Sequence, residues 1–128
     1  GEFARLTGKS ATEIEQHRID MAASYARENQ VILVLKGAPT VTAAPDGRIA
    51  VNSTGNPGMA TGGSGDVLTG VIAAIAASGV DAFDAAKTGA FIHGMAGDIA
   101  EKRQGQWGMT SVDIEEALPA AFKKIVGR

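Results

Sequence analysis

Apolar residues recur at helical spacing in the opening quarter of the chain. Ile14 and Tyr25 fall on one face of a helix. Ser10 and Glu13 precede that face as a capping box, in which each side chain satisfies a backbone donor of the other residue. This pattern predicts a helix over residues 11–28, preceded by an irregular entry over residues 1–8.

The next pattern changes from helical spacing to a continuous apolar run. Residues 31–35 read Val-Ile-Leu-Val-Leu, which is typical of a strand buried on both faces in a parallel sheet of an α/β protein. Residues 40–44 and 48–52 then flank Pro-Asp-Gly, and the Asp-Gly pair is a strong hairpin signal. We therefore predict a buried strand followed by an antiparallel hairpin.

The second half of the chain has three helical segments. Residues 66–78 are apolar nearly all round, which predicts a buried helix with Gly79 as its C-cap. Asp81 caps the next helix, which we expect to reach about residue 103 and whose interior is rich in alanine and glycine. Thr110 opens a last helix that Pro119 must kink or divide.

One strand and one hairpin supply too little sheet for four helices. A sheet covered by helices on both faces usually has more parallel strands. We therefore expect an α/β chain in which residues 1–128 form a single partial domain, one portion of a three-layer α/β/α domain with a mainly parallel sheet plus a hairpin.

Composition narrows the functional classes. The formal net charge of −2 leaves no electrostatic footprint for nucleic acid or an anionic membrane, and no apolar run is long enough for a membrane span. The absence of cysteine removes disulfides and cysteine nucleophiles, and it is consistent with a reducing cytoplasm. The 17 glycines are about twice the usual share, so their placement matters.

Glycine is concentrated in residues 54–65, a loop longer than a simple connection needs. Gly63, Ser64 and Gly65 stand at its end, where the missing side chains let backbone N–H groups turn towards a common point. Because a helix N-terminus follows directly, its free N–H groups would serve the same point. The segment predicts an anion hole.

Asp66 follows this anion hole in the first turn of the predicted helix. A carboxylate beside a phosphate site can accept the proton of a hydroxyl that attacks phosphorus. It can also be a plain N-cap, which position alone would favour. The length of the glycine loop favours the base, since a cap needs no such loop.

The whole motif resembles a known family. The string GNPGMATGGSGDVL at residues 55–68 is similar to the glycine-rich signature of the ADP- or ATP-dependent NAD(P)H-hydrate dehydratases, of the ribokinase-like superfamily. Further segments that fit the family are residues 1–6 (GEFARL), 36–40 (KGAPT), 93–98 (HGMAGD) and 108–119. Since the family's catalytic domains are about twice as long, the resemblance implies the C-terminal half of a ribokinase-like domain.

The resemblance implies a repair reaction. A nucleotide, ADP or ATP, phosphorylates the ring hydroxyl of NADH or NADPH hydrate, and the phosphate is then eliminated. It also implies Mg²⁺, a cytoplasmic location and a homo-oligomer, with no metal ligand identified in this chain. Asp66 would contact the hydrate and act as base, with Glu2 and Asn56 as further substrate-binding residues. The residues expected to bind the nucleotide are Lys36, Gly37, Ala38, Pro39, Thr40 and Gly65.

Simpler interpretations stand beside these. The chain could be another ribokinase-like small-molecule kinase, or a nucleotide-binding fragment without catalysis. Lys36 could be a lysine extending from a strand end, and Asn56 could only stabilise a turn. We expect His93 to be a satisfied core residue, and Asp98 to hold a helix end.

Overall fold

The computed structural model describes residues 1–128, which divide into two compact units, Gly1–Asn52 and Ser53–Arg128. The first unit contains three helices and a three-stranded sheet. Their order is α1 (Glu2–Thr7), α2 (Ala11–Gln16), α3 (Arg18–Asn29), β1 (Leu33–Leu35), β2 (Val41–Ala43) and β3 (Ile49–Val51). The strands pair in the order β1-β2-β3, and both pairs are antiparallel.

The core of the first unit lies between α3 and strands β1 and β2. Its buried residues are Phe3, Ile14, Ala22, Ala26, Leu35, Val41 and Ala43. The predicted hairpin is confirmed: Val41 lies opposite Val51, and Ala44 N–H donates to Arg48 O at 2.9 Å where the turn closes. Gly47 supplies the positive φ of +95° that this turn requires.

The prediction for residues 31–35 was partly wrong. The strand is shorter, and only Leu35 of β1 is buried. Within this chain β1 has a partner on one side only, β2, and that pairing is antiparallel. An edge strand exposes more of its side chains than a central one, and Val31 just before it is 40 % exposed.

The helices at the start of the chain also differ from expectation. Residues 2–7 were predicted to be irregular but form α1, because burial of Phe3 against Tyr25, with ring centroids 5.2 Å apart, supports a helix too short to be stable alone. The Ser10–Glu13 capping box is confirmed. The single helix predicted after it is interrupted at His17, whose φ of −133° is not helical.

The second unit is built around one long helix. Its elements are a 3₁₀ turn (Pro57–Met59), α4 (Ser64–Ala77), α5 (Ala82–Gly108) and α6 (Ser111–Val126). Helix α5 packs against α4, α6 and the 3₁₀ turn, and its core residues include Ile92, Ala96 and Ala100. No helix in residues 1–128 combines the length and apolar character needed to cross a membrane.

The helix boundaries in this unit follow local signals with one exception, Pro119. Asp81 and Thr110 are N-caps as predicted, and Thr110 forms a capping box with Asp113. Helix α5 is kinked at Gly105, whose φ of +73° and ψ of 162° are not helical, so its main body ends close to the predicted residue 103. Pro119 does not divide α6, and the carbonyl it leaves without a helical donor belongs to Glu115, which is solvent-exposed.

Small residues let the glycine loop lie directly on α5. A Cβ on Gly94 would overlap the Thr54 side chain, and a Cβ on Gly97 would overlap Met59. Thr54 Oγ1 also donates to Phe91 O at 2.8 Å. The loop therefore touches the backbone of the helix at Gly94, where a larger residue would meet both the side chain and the backbone of Thr54, whereas at Gly97 it would have to displace the flexible Met59 side chain.

We expect Gly94→Ala to lower the free energy of unfolding by about 1–3 kcal/mol, the usual cost of overpacking. Gly70→Ala is the matched control, because Gly70 lies in α4 with open space around its missing Cβ. That substitution should stabilise the chain by about 0.5–1 kcal/mol. Urea unfolding of both variants measures the difference, and equal stability of the two would contradict the close approach.

Candidate active site

The carboxylate of Asp98 holds the start of the glycine loop. Gly55 N–H donates to Asp98 Oδ2 at 3.0 Å, and Asn56 Nδ2 donates to Oδ1 at 3.1 Å. From the sequence we expected Asp98 only to hold a helix end, and its contact with the glycine loop was not predicted. The available signal was its position four residues after Gly94, which places both on the same face of α5.

Both ends of the Asn56 side chain form hydrogen bonds, one to α5 and one within the loop. Its amide nitrogen is bound to Asp98, and its Oδ1 accepts the Gly58 N–H at 3.0 Å. These bonds agree with the simpler interpretation of Asn56 as a turn stabiliser. A contact between Asn56 and substrate stays a prediction.

The end of the loop forms an open helix N-terminus. Gly63 is the N-cap of α4, in the left-handed region with φ of +86°, and it makes no side-chain cap bond. Gly63 O accepts from both Asp66 N–H and Val67 N–H at 3.1 Å. Ser64 N–H makes a long bond of 3.3 Å to Thr61 O, whereas the amides of Gly63 and Gly65 have no acceptor within the chain.

Asp66 lies in the first turn of α4, three residues after Gly63, and is exposed. The interpretation of Asp66 as an N-cap is wrong, because Gly63 occupies that position. Helix α4 begins at Ser64, so Gly63 is its cap and Ser64 and Gly65 belong to its first turn. The predicted anion-hole residues and the predicted base therefore share one turn of helix.

Ser64 and His93 form a buried polar pair beneath this turn. Each residue is 8 % exposed, and Ser64 Oγ lies 3.4 Å from His93 Nε2. Burial lowers the pKa of His93 from its ordinary value, and an interaction with Ser64 opposes that shift in part. His93 is thus a satisfied core residue, as expected, and its partner is one of the predicted anion-hole residues.

The predicted nucleotide motif, Lys36 to Thr40, belongs to the first unit. Thr40 Oγ1 bonds to both backbone groups of Gly37, accepting from its N–H at 3.3 Å and donating to its carbonyl at 3.2 Å. Lys36 Nζ lies 3.7 Å from Glu2 Oε2, and both side chains are largely exposed. The structure therefore brings together Lys36 and Glu2, which were predicted for nucleotide and substrate respectively.

Arg18 shapes the nucleotide motif from the interior. Its buried guanidinium donates to Leu35 O at 3.2 Å and to Pro39 O at 2.8 Å. A Cβ on Gly37 would overlap that guanidinium. Sequence analysis did not identify this residue as part of the site, because its backbone partners lie 17 and 21 positions away along the chain.

The chain has no group of three or more metal-binding side chains that could hold an ion by themselves. The candidate site of the second unit consists instead of backbone amides at a helix N-terminus and one exposed carboxylate. Amides and a helix dipole bind phosphate groups, and a carboxylate can move a proton. These are groups of the kind that phosphoryl transfer uses.

Comparison with known proteins agrees with that chemistry. A family model described as NAD(P)H-hydrate dehydratase matches residues 1–120. The chain belongs to this family.

Relatives of this family match nearly the whole chain. A bifunctional NAD(P)H-hydrate repair enzyme of Moorella thermoacetica is 51 % identical over 98 % of the chain, which covers 24 % of that protein. An ADP-dependent (S)-NAD(P)H-hydrate dehydratase of Xanthomonas campestris is 38 % identical, again over 98 % of the chain and 43 % of its own length. The chain therefore spans less than half the length of either relative.

A solved structure shares the fold. The ADP/ATP-dependent NAD(P)H-hydrate dehydratase of Bacillus subtilis, co-crystallised with ATP and Mg²⁺, has a TM-score of 0.93 and 33 % identity. The alignment covers 97 % of this chain and 45 % of that one. The expected ribokinase-like α/β class is confirmed, and the three strands of this chain pair antiparallel with one another.

We expect the chain to lose stability as the pH falls below the ordinary histidine pKa of about 6.5, because folding disfavours the protonated His93. The unfolded state binds this proton first, so the contribution is fully present above that pH and declines below it. Urea unfolding at pH 7.5, 6.5 and 5.5 measures the trend. His93→Gln should flatten it, whereas substitution of the exposed His17 by Gln should leave it unchanged.

Proposed function

We propose that this chain is the catalytic part of an ADP- or ATP-dependent NAD(P)H-hydrate dehydratase. The observation that carries the proposal is the N-terminus of α4, where the free amides of Gly63 and Gly65 share one helical turn with the carboxylate of Asp66. The names of the family and of its relatives supply the substrate and the nucleotide. Residues 1–128 would be a single partial domain of that enzyme.

Asp66 would begin the reaction by accepting the proton of the substrate hydroxyl. That oxygen, on the hydrated nicotinamide ring, attacks the terminal phosphorus of the nucleotide as the bond to the leaving oxygen breaks. ADP would then leave as AMP, or ATP as ADP. The phosphorylated hydrate loses phosphate together with a ring proton, which restores the ring double bond and yields NADH or NADPH.

The amides of Gly63, Ser64 and Gly65 would bind the phosphoryl group during its transfer. Charge spreads over its outer oxygens in the transition state, and fixed N–H donors stabilise that charge without reorganising. The positive end of the α4 dipole acts in the same direction. The free amides of Gly63 and Gly65 make this assignment specific, whereas Ser64 N–H would have to exchange its long bond to Thr61 O.

Lys36, Gly37, Ala38, Pro39 and Thr40 would bind the nucleotide, together with Gly65. A lysine ammonium suits nucleotide phosphates, and the turn that Thr40 and Arg18 hold presents backbone groups of the motif. Glu2, already beside Lys36, would bind substrate, as would Asn56.

Mg²⁺ fits this site as part of the nucleotide. The ion usually keeps several waters and binds through substrate phosphates with one or two carboxylates, so it needs no cluster of protein ligands. It would supply charge neutralisation for the phosphates, and we assign no residue of this chain to it. A cytoplasmic location, consistent with the absence of cysteine, and a homo-oligomeric state belong to the same proposal.

The reaction is tested with NADH hydrate, ADP and Mg²⁺, by following NADH absorbance, phosphate and AMP together. The proposal expects NADH, phosphate and AMP to form in equal amounts, because one phosphoryl group passes through each substrate. A stable phosphorylated product would instead identify a small-molecule kinase. Nucleotide binding with no turnover would identify a non-catalytic fragment.

Asp66→Asn should lower turnover by about 10²–10⁴-fold, the usual contribution of a general base, while ADP still binds. The amide keeps the shape of the side chain but cannot accept the proton. Asp84→Asn is the control, since Asp84 occupies the first turn of α5 with the same favourable dipole interaction. Both variants should lose about 1 kcal/mol of stability or less, and equal turnover in the two would remove Asp66 from the mechanism.

A further inference from the structure

Between Gly62 and Gly65, Ser64 is the only residue that carries a side chain, and that side chain points into the protein. Its two flanking glycines have no Cβ with which packing could fix them, and glycine backbone is the most permissive of all. Ser64 Oγ contacts the His93 ring at 3.4 Å. This contact links the start of α4 to α5, whereas the N-cap makes no side-chain bond and Thr69 Oγ1 donates to Gly65 O within α4.

We propose that His93 is a positioning residue that holds Ser64 and thereby orients the amides of Gly63 and Gly65 towards the transferring phosphoryl group. The inference rests on the proposed function for its chemistry. His93 does not touch the phosphoryl group and transfers no proton. It acts through Ser64, which precedes the Gly65 amide directly and follows that of Gly63.

The chemistry of the pair suits this task. A neutral imidazole has one donor and one acceptor nitrogen, and a serine hydroxyl can donate and accept, so the pair is satisfied without a charge. Burial keeps the ring neutral at pH 7. Under the same turn, a cationic partner would hold phosphate more tightly and an anionic partner would repel it. A neutral pair fixes the geometry and leaves the local charge unchanged.

The position of His93 on α5 adds an independent argument. The same helix holds the start of the loop through Asp98, and Gly94, directly after His93, lies against Thr54. His93 therefore ties the end of the loop to the helix that already fixes its beginning. With both ends on one rigid element, the amides keep a constant direction relative to residues 54–59.

The test compares His93→Leu, His93→Gln and Ser64→Ala with His17→Leu, the control at the exposed histidine. The amide resonances of Gly63 and Gly65 in ¹H–¹⁵N spectra report the geometry of these two groups. The internal reference is the amide resonance of Gly47, which lies in the hairpin turn of the first unit. We expect His93→Leu and Ser64→Ala to shift or broaden the first two resonances and not the third. The His93→Gln variant retains a donor and an acceptor, so its Gly63 and Gly65 resonances should stay where they are in the unsubstituted chain.

Function is read separately from geometry. With turnover present, His93→Leu should lower kcat about tenfold to a hundredfold with little change in KM, and adding Ser64→Ala should cause no further loss. If the unsubstituted chain shows no turnover, the proposed function fails. The positioning role is then tested by titration with inorganic pyrophosphate, which should shift the amide resonances of Gly63 and Gly65. His93→Leu should abolish those shifts.

Two results would overturn the inference. One is a folded His93→Leu chain in which the Gly63 and Gly65 resonances are unchanged. The other is a loss of kcat or pyrophosphate response no larger than that of His17→Leu. If His93→Leu does not fold, His93→Gln and Ser64→Ala provide the same comparison, and normal resonances in Ser64→Ala would be equally decisive against the proposal.

Discussion

The approach of the glycine loop to helix α5 at van der Waals distance is the constraint on which the second unit depends. Gly94 presents no side chain to Thr54, and beside this contact the loop donates two hydrogen bonds to Asp98 and one to Phe91 O. The Gly55 N–H of the loop thereby has an acceptor in the protein, where a surface loop would use water. The approach fixes where the loop begins, and so where α4 can start.

In the first unit, the predicted nucleotide motif at residues 36–40 also depends on a glycine without a side chain. There a buried charged group, and not a packed loop, occupies the free space. The Arg18 guanidinium occupies the space that a side chain at Gly37 would fill, and it holds carbonyls on both sides of the turn. Burying a guanidinium is costly unless its donors are used. Here two carbonyls and the Glu15 carboxylate accept from it, while its Nε has no partner.

The predictions that succeeded depended on interactions within about four residues. The capping boxes at Ser10 and Thr110 and the Asp-Gly turn are of this kind, since all their partners are local. The break at His17 was missed, and so was the short helix containing Phe3, whose contact with Tyr25 lies far along the chain. Local patterns hold no information on packing of that range.

The candidate site divides in the same way. The glycine spacing predicted where α4 begins, because a helix N-terminus is a local structure, and the roles of anion hole and base stay predictions. The residue that holds the loop was not predictable, since Asp98 lies 43 and 42 positions from the two residues it binds. A carboxylate that serves a distant loop looks, in sequence, like any polar residue on a helix.

The complementary fit between loop and helix also limits how this site can change during evolution. Thr54 faces the position of a Cβ at residue 94, and Met59 faces that of residue 97. A methyl group gained on α5 has to be matched by volume lost from the loop, so either pair would be inherited as a unit. Covariation between positions 54 and 94, and between 59 and 97, is therefore the trace that this packing would leave among its descendants.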